Sequence, residues 1–284
     1  MTAKKLARLA LRPKIFHTLT GLTPPQFITL LARLRPHWEA AEYTRKNHRQ
    51  RKRAVGAGAK PKLDLSGDLF MTLLFYRTYV GQVFLGVVMG LDDSNVSRRI
   101  RRLEPSLQKV FRIPERRVDL SQEEILALIV DATEQETERR KGTRFSGKKY
   151  RQTIKTQIHI TPDGFIKAVS KSTTGNTHDK RLYDQSQTWA RGPDGRPAHV
   201  KTHADLGYIG TACVTPCKKP RSRPLMMHEL YVNKQLAPKR IGVEHAIAHL
   251  KQFQVLSQRF RHQPNRYNLM FRNVAGLRNF IRTS

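Results

Sequence analysis

Three acidic residues stand where a strongly basic chain has little reason to keep them. Glu244, within KRIGVEHAIAHLKQF, is the only acid between Leu230 and the last residue, Ser284. Asp131 closes the apolar run EEILALIVD, and Asp205 closes AHVKTHAD ahead of a glycine-flanked turn. Taken singly, each has a plain reading as a strand end, a turn aspartate or an exposed helical charge. Taken together among so many cations, they work against affinity for a polyanion unless they hold metal. Clustered carboxylates repel one another, a divalent cation relieves the repulsion, and their hard oxygens suit Mg2+. Arg240 and Lys251 stand four residues before and seven after Glu244, on the same helical face. Two cations there can grip phosphates beside the acid.

The elements that must position these acids follow from apolar spacing. Asp131 ends a buried strand. QTIKTQIHITPDGFIKAVSKS is a hairpin turning at Pro162-Asp163-Gly164. NTHDKRLYDQSQTW is a helix, Asp205 ends a fourth strand, and TACVTPCKK is a short fifth. QLAPKRIGVEHAIAHLKQFQVLSQRF is a long helix entered through Pro238, and RYNLMFRNVAGLRNFIR is a last amphipathic one. If the first and fourth strands are parallel neighbours joined by a right-handed crossover, their residues lie about 5 Å apart across the ladder. A helix packed over those strand ends can then bring Glu244 toward both aspartates.

Upstream, residues 1–44 read as short helical pieces broken by Pro13, Pro24-Pro25 and Pro36. The basic run RKNHRQRKRAVGAGAKPK reads as a solvated linker, the alternative being an arm that lies along phosphates. In GQVFLGVVMGLDDSNVSRRIRRLEPSL, Gly86 takes a small-residue position on one helix and Gly90 the turn. Asp93 or Ser94 caps the next helix, whose buried stripe is Val96, Ile100, Leu103 and Leu107. Asn95, Arg98, Arg99 and Arg102 form the opposite, polar face. The pattern is that of a helix-turn-helix whose second helix enters the DNA major groove, the plainer alternative being an ordinary helical hairpin.

The composition agrees with a nucleic-acid partner. The 284 residues carry 53 Lys+Arg against 22 Asp+Glu, a net charge of +31, with 38% hydrophobic residues. Such a chain folds, repels itself and calls for a polyanion. The longest apolar stretch, VFLGVVMGL, is about half the roughly 20 residues that span a bilayer, and no secretory leader is recognisable. Cys213 and Cys217, four apart in a strand, would sit roughly 13 Å from each other, too far to bridge. His245 and His249 share a helical face, but no acid lies between them as a zinc protease requires. The H-x-x-R spacings at His48–Arg51 and His178–Arg181 suit a tyrosine recombinase, yet 11 histidines among 53 Lys+Arg produce such spacings by chance.

These motifs resemble the DDE transposases of bacterial insertion sequences, the DDE superfamily endonuclease group that includes relatives of Harbinger-type elements. The resemblance covers residues from about 63 to 262: the helix-turn-helix, VDATEQE, FSGKKYRQTIKTQIHITPDG, GNTHD, HADLGYIG and the helix bearing Glu244. It implies an α/β RNase H-like catalytic domain, a mixed five-stranded sheet with flanking helices, preceded by an all-α helix-turn-helix domain. The implied division is 1–62 helical segment and linker, 63–115 helix-turn-helix, 116–262 catalytic domain and 263–284 C-terminal helix. Asp131, Asp205 and Glu244 become the catalytic, metal-binding triad, and Arg240 and Lys251 match the family's R-x3-E-x6-K signature. Ala237 departs from a tyrosine found there in related groups, and His178-Asp179 matches a frequent pair read here as a helix start. Two Mg2+ ions, replaceable by Mn2+, would serve strand cleavage and 3′-OH strand transfer. The implied partners are double-stranded DNA, as terminal inverted repeats and target, and further copies of the chain in a homodimer or larger assembly. No membrane is involved, and the place of action is the nucleoid in a bacterial cytoplasm. The competing expectation is a regulator or decayed transposase that binds DNA without cutting it.

Overall fold

The computed structural model describes residues 3–47, 61–121, 128–138, 144–147, 149–186, 189–198 and 200–284. The chain divides into two compact units. One comprises Met1–Arg112 with Phe253–Val255 and Phe280–Ser284, the other Ile113–Gln252 with Leu256–Asn279.

The first unit is helical among its described residues: α1 (Ala3–Ala10), α2 (Pro13–Thr20), α3 (Pro24–Asn47), α4 (Leu65–Thr78), α5 (Gln82–Met89) and α6 (Asp93–Phe111). The middle of α4 is buried without interruption from Gly67 to Tyr76. LSGDLFMTLLFYRT is apolar around most of its circumference, as a helix enclosed on all sides must be. Phe16 of α2 sits between Phe27 of α3 and Phe70 of α4, at ring-centroid distances of 5.3 and 5.9 Å. The helices before residue 62 therefore share a core with those after it, and the boundary drawn there from sequence falls inside one packed unit. Pro36 also does not break the chain, because α3 continues through it. Burial of Phe27, Leu30 and Leu34 holds α3 in place against a penalty of about 3 kcal/mol for an interior proline. The basic segment read as a linker, at 48–60, lies outside the described residues.

The α5–α6 turn follows its sequence signals closely. Gly90 closes α5 at φ 69°, a left-handed position that favours glycine. Gly86 permits a close approach, since a Cβ there would stand 2.4 Å from the Leu91 carbonyl oxygen. Val96, Ile100, Leu103 and Leu107 are buried. The N-cap is Asp92, one residue before the expected Asp93 or Ser94. Asp93 is already helical, and its Oδ1 accepts from the Ser94 N–H at 2.6 Å.

The second unit holds a mixed sheet with helices beside it. Its strands are β1 (Arg117–Asp119), β2 (Leu128–Glu136), β3 (Arg144–Ser146), β4 (Arg151–Ile160), β5 (Ile166–Val169), β6 (Thr173–Thr174), β7 (Trp189–Arg191), β8 (Pro197–Ala198) and β9 (Thr202–His203). The main sheet runs β3-β4-β2-β9, with β5 and β6 also paired to β4. Paired along both edges, β4 is buried from Thr153 to Ile160. A separate three-stranded sheet, β1-β7-β8, was not foreseen. The expected fifth strand is reduced to one bridge, Val214 to His203, so the main sheet has six strands by a different route. The hairpin at Pro162-Asp163-Gly164 forms as spaced, with Gly164 at φ 86°.

Two further differences concern the elements that carry the acids. Asp131 is interior to β2, whose second half continues through Glu136 because Glu134 and Gln135 find partners on β4 in Lys155 and Ile154. The helix of Glu244, α8 (Met227–Lys251), begins well before Pro238, which lies inside it. Glu229 fixes the earlier start: its carboxylate accepts from the Met226 N–H at 2.7 Å and from both Arg223 guanidinium nitrogens at 2.7 and 2.9 Å. Past Lys251 the chain leaves the helix for a 3-10 turn at Gln254–Leu256. The helix α7 (Asp179–Ser186) precedes β7, and α9 (Pro264–Thr283) comes last. Within this unit Asn279 of α9 clasps Ile166 of β5, accepting from its N–H at 3.0 Å and donating to its carbonyl at 2.7 Å.

Candidate active site

Parallel pairing of β2 with β9 brings the two aspartates to the same end of the sheet. β2 and β9 are parallel, pairing Leu128 with Thr202 and Ile129 with His203. The ladder ends with these pairs, two residues before Asp131 on one side and Asp205 on the other. A 3-10 turn, Leu206–Tyr208, begins there, with Asp205 as its N-cap accepting from the Gly207 N–H at 2.9 Å. The Asp131 Oδ1 accepts from the Ala132 N–H at 2.7 Å. Helix α8 packs on β2 and β9, burying Val243, Ala246 and Leu250. Residues Glu244, Ile247, Ala248 and Lys251 fall on its next face and, with Asp131 and Asp205, line one cleft of about 380 Å³. The three acids separated in sequence thus share a single cavity.

The same cleft contains a group that sequence reasoning missed. Lys155, opposite Glu134 on the β2–β4 ladder, is only 6% exposed. Its ammonium lies 3.1 Å from Glu134 Oε1 and donates to Asp179 Oδ1 at 3.0 Å and to the Thr177 carbonyl at 2.8 Å. Burial pulls the Lys155 ammonium down, but Asp179 and Glu134 outweigh it and leave its pKa raised. Burial likewise pushes the Glu134 carboxyl up, while bonds from Lys155, Ser146 and Thr153 bring it below the usual range. The signal that could have found this group is the alternation in VDATEQE and QTIKTQIHI, which puts Glu134 and Lys155 on one face. Asp179, expected only to start a helix, does start α7 and also lines the cleft.

In the turn that Asp205 caps, Tyr208 is fully buried, and among the described residues its hydroxyl has no hydrogen-bond partner. Burial raises its pKa far above that of a free phenol, and the charges of Asp131, Asp179 and Asp205 add to the rise. At the rim, desolvation lowers the Lys251 ammonium, helped by Lys149 and opposed by Asp131. The side chain of Arg240 lies outside the described residues. Among the described residues, no three His, Cys, Asp or Glu side chains are grouped closely enough to hold a metal ion as they stand. Cys213 and Cys217 are free thiols.

The four residues expected to face DNA on α6 divide. Arg98 and Arg102 are exposed, Arg98 donating to Ser94 Oγ at 3.3 Å and Arg102 lying 3.7 Å from Glu42. Asn95 is half-buried and donates to Asp92 Oδ2 at 3.2 Å. Arg99 turns inward, its Nη1 donating to both oxygens of buried Asp68 at 2.6 and 2.9 Å and to the Leu63 carbonyl at 3.3 Å. Beside them α5 leaves Val83, Phe84 and Val87 exposed.

Residues 130–279 match the family model described as DDE superfamily endonuclease. The chain is 30% identical over 236 residues to "Probable transposase for insertion sequence element IS702" of Microchaete diplosiphon, across 78% of this chain and 83% of that protein. No solved structure matches. The matched region spans both aspartates, Glu244 and the cleft they share, and the chain belongs to the DDE superfamily endonucleases as a transposase of the insertion-sequence type.

Proposed function

We propose that this transposase binds the ends of its element through α5 and α6, cuts the DNA strand in the cleft of Asp131, Asp205 and Glu244, and joins the freed 3′-OH to target DNA. The observation that supports the reading is that Asp131, Asp205 and Glu244 line one cleft, with β2 and β9 paired in parallel just ahead of the two aspartates. The catalytic unit is read as RNase H-like on the same ground.

The donor set fits Mg2+. Asp131, Asp205 and Glu244 offer only hard oxygens. Mg2+ is commonly held by one or two carboxylates with waters and substrate phosphates completing its shell, so no closed protein cage is required. Bound there, two divalent ions would acidify a water and offset the charge that builds up on the phosphate. The chain's own residues supply the rest. Lys251 at the rim and Arg240 on the same helix attract the phosphates that flank the scissile bond. Backbone N–H groups orient the aspartates: Ala132 donates to Asp131 Oδ1 and Gly207 to Asp205 Oδ1. In the first step water forms a new P–O bond and the 3′-oxygen leaves, taking up a proton. In the second that 3′-OH attacks a target phosphodiester, so one diester is exchanged for another. Arg98, Arg102 and Asn95 on α6 are assigned to the major groove of the terminal repeats, and a homodimer or larger assembly brings two ends together.

The test is cleavage of labelled DNA carrying the repeats that flank the gene, in Mg2+, Mn2+, Ca2+ or EDTA. Cuts at the repeat ends are expected in Mg2+ and Mn2+ only. Asp131→Asn, Asp205→Asn and Glu244→Gln should each slow cutting by about 10³-fold, roughly 4 kcal/mol of barrier, with DNA binding retained. Tight binding without cutting by the unaltered chain would reassign it as a DNA-binding protein.

A further inference from the structure

Besides Asp131, Asp205 and Glu244, the cleft is lined by two further carboxylates, Glu134 and Asp179. Lys155 contacts Glu134, the Thr177 carbonyl and Asp179 Oδ1, one partner for each of its three N–H donors. It engages a single oxygen of Asp179. The other, Oδ2, stands 2.8 Å from the position a Cβ on Gly207 would take, and Asp205 Oδ1 stands 3.0 Å from that same position. The two carboxylates therefore flank a residue with no side chain, where a Cβ would displace Asp179 Oδ2 and crowd Asp205 Oδ1. Beside them the Tyr208 hydroxyl is fully buried, without a hydrogen-bond partner among the described residues, and the charges of Asp131, Asp179 and Asp205 all reach it. Facing anions are unfavourable until a cation joins them; the Gly207 N–H donates to Asp205 Oδ1 at 2.9 Å, and the one buried ammonium among the described residues, Lys155, is turned to the other oxygen of Asp179. A buried lysine between two acids is itself costly to desolvate and gives little net stability, whereas it fixes a carboxylate's orientation well.

We propose that Asp179 is a further cation-binding carboxylate of this cleft, acting with Asp205 across Gly207, and that Lys155 is the positioning residue that aims it. The inference rests on the reading that Asp205 holds a divalent ion.

The test is Mn2+ binding to the full chain, followed through the spin-resonance signal of free Mn2+, with thermal unfolding in EDTA as a control for folding. Asp179→Asn and Asp205→Asn should each weaken binding tenfold or more. Lys155→Met deletes a positive charge beside the ion, so electrostatics alone would tighten binding. A positioning role requires it to weaken binding severalfold. Wild-type affinity in Asp179→Asn, with loss in Asp205→Asn, would overturn the inference and leave the cation reading standing. Unchanged affinity in both would overturn the cation reading and the inference with it. Tighter binding by Lys155→Met would remove Lys155 from the positioning role. Should Asp179→Asn not fold, Gly207→Ala separates the two carboxylates without removing a charge, and full affinity there would overturn the proposal.

Discussion

Arg98 and Arg99 are neighbours in α6 with separate work, and the difference is measurable. Asp68 is 3% exposed, and burial pushes its carboxyl up even with Arg99 beside it. Arg99→Ala would leave that acid buried and unpaired, at an expected cost of about 3–5 kcal/mol read as a fall in melting temperature. Arg98 is exposed, so Arg98→Ala should change stability by less than about 0.5 kcal/mol. It should instead weaken DNA binding. If it contacts a phosphate, the slope of log K against log salt should shrink by about 0.9; if it reads a base, preference among end sequences should relax. Binding titrations at several salt concentrations distinguish these outcomes. An Arg99→Ala protein that melts like the wild type would contradict the buried-pair account.

At the scale of elements, the α5–α6 turn rests on two glycines for unlike reasons. At Gly86 a Cβ would press on the Leu91 carbonyl at 2.4 Å, and that oxygen belongs to backbone and cannot swing aside. At Gly90 nothing lies within 4 Å, but the backbone is left-handed at φ 69°. Gly90→Ala should therefore cost about 1 kcal/mol of conformational strain. Gly86→Ala should cost more, about 2–3 kcal/mol, because α5 must move off the turn. Thermal unfolding of the two variants gives the order directly, and the reverse order would mean the close approach is slack. The long helix α8 makes a related point. Its start is held by Glu229 with Arg223, so an interior Pro238 is tolerated where local propensity alone would begin the helix anew.

Over the whole molecule, +31 charges make acid conditions harsh, since each histidine protonated adds to the repulsion. One histidine has a sharper effect. His159, on β4, is 2% exposed, and burial lowers its pKa from 6.5 to about 4. Because its folded pKa lies below its unfolded one, the unfolded chain takes up the proton first as pH falls. Stability from neutral His159 is present above pH 6.5 and is lost between 6.5 and about 4. At 1.36 kcal/mol per unit, the loss is on the order of 3 kcal/mol. Glu134 acts at lower pH: its carboxyl is held below the unfolded value of 4.5, so its contribution fades only as pH falls below that value. Urea unfolding at pH 6.5, 5.5 and 4.5 should show a steep decline that His159→Gln flattens. An equal slope in both proteins would place the acid sensitivity elsewhere.

Local physics makes some of this protein legible from sequence alone. Charge and composition require no folding to be read, and the hairpin at Pro162-Asp163-Gly164 and the turn at Gly90 are written in neighbouring residues. The order of Asp131, Asp205 and Glu244 among strands and helix was also readable, because apolar period identifies elements and crossover handedness limits how two strands can pair. Contacts between distant residues were not readable in that way. Lys155 meets Asp179 from 24 positions away, and Arg99 meets Asp68 from 31. Spacing on one helix cannot say that Arg99 turns inward while Arg98 stays in water. Nor can it say that Asp179, a good helix starter on any local rule, also faces Asp205. Pro36 and Pro238 sit inside helices because the energy of burying and anchoring those helices exceeds the local penalty of the ring. Local propensity and pattern set which residues become strands and helices, whereas only tertiary packing decides which charges those elements bring together, since that choice depends on the burial of side chains contributed from far along the chain.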